Sequence, residues 1–205
     1  PPSAGPRRHP GPPGVPPAAP SREAVLTQGE RLPIRSPRVH GSISLQGGRV
    51  DDVTLPDYHV TVDPGSPEVV ILSPPGADSP YYAEFGWVPG AAGGAVTPPA
   101  DAVWTADGAT LTPEKPVTLT WDNGQGLRFI KTYALDRDFM FTVSLAVENQ
   151  TDQPVTVHPY GLVSRTGTPQ TSGFYILHEG PVAVLDGTLR EIDYDDLRDK
   201  GKIEG

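Results

Sequence analysis

An all-β domain built of antiparallel sheets is the fold this sequence predicts, and three observations predict it. From Phe139 to Glu148 the residues alternate: Phe139, Phe141, Val143, Leu145 and Val147 share one parity, and Thr142, Ser144 and Glu148 the other. Period-two alternation of this length puts one side-chain row on a core and the other toward water. Turn dipeptides such as Asn123-Gly124 and Asp186-Gly187 sit between short apolar runs, as hairpins require. Finally, no long amphipathic helical stretch is present, and the strand signals recur at the spacing of a β-sandwich.

Taken in order, residues 1–33 read as a Pro-rich linker and residues 34–205 as the folded domain. Nine of the first twenty residues are Pro, a composition that favours extended polyproline geometry and a semi-stiff spacer. Ser21 to Gln28 has room for one helical turn. Val39 to Leu45 and Arg49 to Leu55 flank Gln46-Gly-Gly48 as a hairpin, and Tyr58-His-Val-Thr-Val62 reads as a further short strand. Glu68 to Leu72 is an apolar strand, and Tyr81 to Val88 is a strand carrying four aromatics. Gly90 to Ala100 is a small-residue loop. Val103-Trp104 and Ala109-Thr-Leu111 suggest a weaker hairpin around Ala106-Asp-Gly108.

The centre of the chain is a meander of Pro116 to Trp121, Leu127 to Tyr133 and Phe139 to Glu148. Asn123-Gly124 is expected to form its tight first turn, with both residues at positive φ. Burying the five apolar residues of the third strand is worth roughly 1.5–3 kcal/mol each, an upper figure because unfolded chains already hide some surface. Strands are also expected at Val155 to Ser164, Phe174 to Leu177, Pro181 to Leu185 and Leu189 to Tyr194. Residues 195–205 form a charged end.

Composition narrows the function. The chain has 205 residues, enough for one β domain with a real core. Residues 1–40 carry a net charge of +4, leaving −13 for the rest, and an acidic folded part argues against nucleic acid as a partner. Cys is absent, which excludes disulfides and thiolate metal sites. No apolar run approaches the ~20 residues needed to cross a bilayer. A start at Pro1, with no charged-then-apolar leader, is expected of an excised or processed piece.

No constellation of residues demands catalysis, a metal or a cofactor. His9, His40, His59, His158 and His178 show no compact ligand spacing. His178-Glu179 is the nearest approach to an acid/base pair, but neighbours on a strand point to opposite faces, and a hydrogen bond at a loop end fits better. Asp193, Asp195 and Asp196 lack the Gly and terminal Glu of a calcium loop and read as a solvated edge. Ser164-Arg165 has no nucleophile elbow. Tyr81, Tyr82, Phe85, Trp87, Trp104, Trp121 and Tyr160 are either core or the lining of a cleft. Tyr81, Tyr82, Trp87, Trp104, Tyr160 and Arg165 are the candidate cleft or interaction surface.

Specific strings then add to the pattern. They are Gly41-Ser-Ile-Ser-Leu45 with Arg49-Val-Asp-Asp52, Leu72-Ser-Pro74, and Pro80-Tyr-Tyr-Ala-Glu-Phe-Gly-Trp87. Next come Pro116-Val-Thr-Leu-Thr-Trp-Asp-Asn-Gly-Gln-Gly-Leu127, and Tyr160-Gly-Leu162 with Ser164-Arg165. Phe174-Tyr-Ile-Leu-His-Glu-Gly-Pro181 and Glu191-Ile-Asp-Tyr-Asp-Asp196 complete the set. In this order and spacing, across roughly residues 35–205, the sequence resembles the large periplasmic domain of the YidC-type membrane protein insertases of alphaproteobacteria.

The resemblance implies a β-supersandwich of two large antiparallel sheets, shared with sugar mutarotases, here stopping before its last strands. It implies a non-enzymatic domain facing the periplasm from the bacterial inner membrane, held by flanking membrane helices that this chain lacks. Its expected partners are the Sec translocon with its accessory subunits and nascent inner-membrane proteins. Insertion itself belongs, by the same resemblance, to a five-helix membrane core, so no groove residue carries over. A carbohydrate-binding or sugar-epimerase-like protein on the same fold is the alternative; it needs an acid and a base in one cleft, which likeness of fold does not supply.

Overall fold

The computed structural model describes residues 19–63, 65–91, 94–169 and 178–202. The first compact unit ends at Arg165 and the second begins at Thr166, whereas the sequence reads residues 34–205 as one body. The strand expected at residues 174–177 lies outside the described residues.

The first unit is a two-sheet antiparallel structure. It opens with a short helix, α1 (Arg22–Leu26), whose N-cap Ser21 accepts a hydrogen bond from the Ala24 N–H at 3.3 Å. The six-stranded sheet runs β1 (Arg31–Arg35), β2 (His40–Ser44), β3 (Arg49–His59), β5 (Tyr81–Pro89) and β10 (Val157–Arg165), and β4 (Glu68–Leu72) also pairs with β3. The second sheet has four strands in sequence order: β6 (Thr105–Ala106), β7 (Val117–Asp122), β8 (Leu127–Leu135) and β9 (Phe141–Asn149). Pro33 and Pro159 lie on β1 and β10, at the two ends of the six-stranded order. An edge strand can spare the backbone donor that Pro lacks.

The core draws on both sheets: Leu32, Ile34, Ile43, Val50 and Val53 from one, Val117, Leu119, Leu127, Phe129 and Tyr133 from the other. The alternation expected of β9 is present, but its apolar row is only half-buried. The fully buried row belongs to β8, where Leu127, Phe129, Lys131, Tyr133 and Leu135 point inward. The reason is lateral: β8 has β7 and β9 on its two flanks, whereas β9 ends the sheet.

Several expectations are corrected. The first strand starts at Arg31, so the expected boundary between residues 33 and 34 falls inside β1. Tyr58 belongs to β3, which runs through to His59 as one eleven-residue strand; no separate strand spans Tyr58 to Val62. Val103 bridges Gln46 and Leu111 bridges Ile34, so these residues join different partners rather than each other. The turn after β7 is wider than a two-residue loop: the Asn123 N–H donates to the Leu127 carbonyl at 3.0 Å. Gly124 and Gly126 take positive φ there, and Asn123 does not.

Asn123 works by its side chain instead, its Oδ1 accepting from the N–H groups of Gln125 and Leu127. This is the Asx-type local bond that competes with a tight turn.

The polar face of β2 and β3 is closed by a network of ions. Asp51, 2% exposed, pairs with Arg31, and Arg31 Nε donates to Ser42 Oγ at 2.7 Å. Ser42 Oγ donates in turn to Asp52 Oδ2 at 2.6 Å, and Asp52 pairs with Arg22 of α1. α1 has no fully buried residue, and Arg22 links it to the sheet through Asp52 and Thr54 Oγ1.

In the second unit, β11 (Val182–Leu185) and β12 (Thr188–Glu191) form a hairpin around Asp186 and Gly187, at φ 49° and 76°. Both central residues lie in the left-handed region, as a type I′ turn demands. A helix, α2 (Tyr194–Lys200), follows where the sequence suggests only a charged end. Asp195 pairs with Arg198, and Asp196 with Lys200 at 3.0 Å. Acids in the first turn and bases in the last also suit the helix dipole.

Candidate functional site

The candidate surface residues separate into two places. Trp87 and Trp104 are core side chains, their ring centres 6.4 Å apart and nearly parallel, with Phe129 edge-on to Trp87 at 5.1 Å. Tyr160 lies on β10 directly opposite Gly86 of β5. A Cβ at Gly86 would meet the Tyr160 ring at 2.9 Å, so the glycine is what lets that ring lie flat on the sheet. These three aromatics line one small cavity of about 20 Å³.

Tyr81 and Arg165 meet elsewhere. They are cross-strand partners on β5 and β10, and the guanidinium carbon sits 4.8 Å from the tyrosine ring centre. With Arg22, Ser73 and Ile71 they border a shallower pocket of about 250 Å³. Tyr82, opposite Ser164 on the other face of β5, lines neither.

The small cavity is walled by polar groups that sequence reasoning passed over. Lys131 of β8 is 2% exposed. Its Nζ donates to the Gly47 carbonyl at 3.0 Å and reaches the Gly48 carbonyl at 3.5 Å. Tyr133 OH also donates to the Gly48 carbonyl, at 2.7 Å. Glu84 of β5 accepts from Tyr160 OH at 2.7 Å, and its other oxygen is 3.6 Å from Arg49 Nη1. Arg49 Nη1 donates to the Ala100 carbonyl at 3.0 Å, tying the loop before Trp104 over the cavity mouth.

These positions shift proton affinities. Burial lowers the Lys131 pKa to about 8; Glu84 opposes the drop and Arg49 adds to it. Burial, with the charge of Glu84, pushes the Tyr133 hydroxyl up. Tyr160 is held at about 12, first by burial and then by its bond to Glu84. On the outer face of the sheet, burial pushes the Asp51 carboxyl up, against the pull of Arg31. One signal for Lys131 was available: it shares parity with Leu127, Phe129, Tyr133 and Leu135, and a strand cannot turn one residue of a row outward.

In the second unit, His178, Glu179 and Asp193 border a cavity of about 330 Å³. His178 Nδ1 lies 3.1 Å from Asp193 Oδ1, and Asp193 occupies the N-cap position of α2. Among the described residues, no three His, Asp or Glu side chains converge as metal ligands. No helix among them is long and apolar enough to cross a membrane.

With this geometry in view, relatives identify the fold's family. The model of the YidC periplasmic domain family matches residues 31–205. The chain is 54% identical over 185 residues to the membrane protein insertase YidC of Methylobacterium nodulans, covering 90% of this chain and 30% of that protein. It is 52% identical over 187 residues to that of Methylobacterium radiotolerans, again covering 90% and 30%. To that of Dinoroseobacter shibae it is 47% identical over 193 residues, covering 93% and 32%. The chain thus spans about a third of the length of these relatives. Antiparallel sheets throughout the described part of the matched region, and identity near one half to several insertases, place this chain in the YidC periplasmic domain family.

Proposed function

We propose that this chain is the periplasmic domain of an inner-membrane protein insertase, and that it serves as a docking scaffold while insertion takes place in other parts of the parent protein. The observation that carries the reading is the family match over residues 31–205, together with relatives named as insertases. Supporting it, the candidate aromatics Trp87, Trp104 and Tyr160 border a space too small for a sugar ring. The polar cavity at Glu84 and Lys131 measures only about 20 Å³, against the ~300 Å³ or more of typical ligand pockets.

The docking surface in this proposal is β10. It ends the six-stranded order, and no described strand pairs with its outer edge. Leu162 and Val163 are exposed along it. A nine-residue edge that no described strand covers, with apolar side chains, can accept an extended segment by strand addition. Its partners would be translocon subunits or emerging inner-membrane clients.

Photo-crosslinking residues placed at Leu162, Val163 and Arg165 in the full-length parent protein test this in cells. Discrete adducts with translocon subunits or nascent membrane proteins are expected there, and not from control positions on β7 such as Thr118. Equal capture of unrelated envelope proteins from both sets would remove the docking role.

A further inference from the structure

The cavity lined by Trp104, Lys131, Glu84 and Gly47 brings together both hydrogen-bond donors and acceptors. Trp104 is 2% exposed, and its Nε1 is buried without an acceptor among the described residues. Lys131 carries three N–H donors; two are directed at the carbonyls of Gly47 and Gly48, which leaves a third. Glu84, also in the lining, accepts one hydrogen bond, from Tyr160, and has Arg49 Nη1 at 3.6 Å, although a carboxylate offers about four lone-pair sites. The Gly47 carbonyl has likewise taken only Lys131.

We infer that this cavity is a binding site for one ordered water molecule. It accepts from the Trp104 indole N–H and the third Lys131 N–H, and donates to Glu84 and to a backbone carbonyl. Size sets the ligand: about 20 Å³ exceeds the ~10–15 Å³ that one water needs and leaves no space for a second group. Chemistry sets it as well. A bare cation would face two donors, and an anion would face the Glu84 carboxylate, so the occupant must both accept and donate. Water satisfies all four wall groups, consistent with the rule that buried donors find partners. The same water relays the Lys131 ammonium to Glu84, joining β8 of one sheet to β5 of the other.

The test uses the whole 205-residue chain labelled at its three Trp indole nitrogens. The Trp104 indole proton should show a cross-peak to water with the sign of a long-lived, protein-bound molecule. A high-resolution crystal structure should show a single round peak at about 2.7–3.2 Å from Trp104 Nε1. In the Trp104→Phe variant, which keeps a ring but removes the donor, that peak should vanish or weaken. Glu84→Gln, which retains an acceptor, should keep it. An empty cavity, density larger than one water, or an indole proton with no bound-water signal would overturn the assignment. A peak unchanged in Trp104→Phe would do the same.

Discussion

The Lys131 ammonium sits 4.3 Å from the centre of the Trp104 ring, inside the core. A cation facing an aromatic ring away from bulk solvent is attracted by the ring quadrupole, by about 1–2 kcal/mol. Two carbonyls share the ammonium, yet burial still lowers its pKa from 10.5 to about 8. The folded chain therefore releases this proton at lower pH than the unfolded chain does.

A stability profile follows from that difference. Between pH 8 and 10.5 the unfolded chain holds more protons at this position, so stability rises with pH as a penalty of roughly 3 kcal/mol for burying charged Lys131 is relieved. Tyr133 acts in the opposite sense only above its ordinary value of 10.0. Urea midpoints at about pH 7.5 and about pH 9.5 measure the slope. Lys131→Met should lose this rise, so the wild type gains on the variant as pH increases. Parallel profiles would show that Lys131 keeps an ordinary proton affinity.

The two Arg–Asp pairs should differ in cost. Arg31→Ala strands Asp51, 2% exposed, and is expected to destabilise by about 3–5 kcal/mol. Arg22→Ala leaves Asp52 with its bond from Ser42 and is expected to cost about 1–3 kcal/mol. Only Arg22→Ala should also loosen α1, because the helix has no fully buried residue and Arg22 is its ionic link to the sheet. Amide exchange over residues 22–28 reads this, with protection lost there but retained in β8.

Tyr160 reports on Glu84. Its hydroxyl is held at about 12, by burial first and then by the carboxylate. Glu84→Gln removes the charge but leaves the burial, so the Tyr160 pKa should fall toward 10.0 without reaching it. A pH titration of the tyrosine ring carbon resonances follows it. A value unmoved in the variant would mean that burial alone is responsible.

Gly187→Ala should open the second unit's hairpin. At φ 76° an L side chain costs about 1–2 kcal/mol, comparable to what a short two-stranded hairpin has to lose. Faster amide exchange in β11 and β12, with the β7–β9 meander unchanged, is the expected readout.

Much of the fold was legible in the sequence because β structure writes itself in parity. The rows of β8 and β9, the β2–β3 hairpin at Gln46-Gly-Gly48 and the Asp186-Gly187 turn all follow from neighbours one or two residues apart. Asn123-Gly124 departs from the tight turn its dipeptide predicts for a physical reason. The same dipeptide preference applies there, but the Asn123 side chain bonds the following backbone and widens the loop. α2 was legible too, had the Asp195–Arg198 and Asp196–Lys200 spacing been weighed as helical pairs.

The candidate site divided along the same line. Aromatic residues stood out by type, and type alone does not say which are core and which are surface. Trp87 and Trp104 turned inward, Tyr160 half so, and Tyr81 paired with Arg165 at a different pocket.

By itself the sequence determined the antiparallel strands, the faces they present and the family to which they belong. These depend on local periodicity and on strings read in order. The tertiary structure alone decided which strands lie at the edge, and therefore which apolar rows are truly buried. It also brought Gly47, Glu84, Trp104 and Lys131 around one cavity from four distant stretches of chain. Burial and electrostatics depend on distance in space, and in an antiparallel sandwich most short distances join residues far apart in sequence.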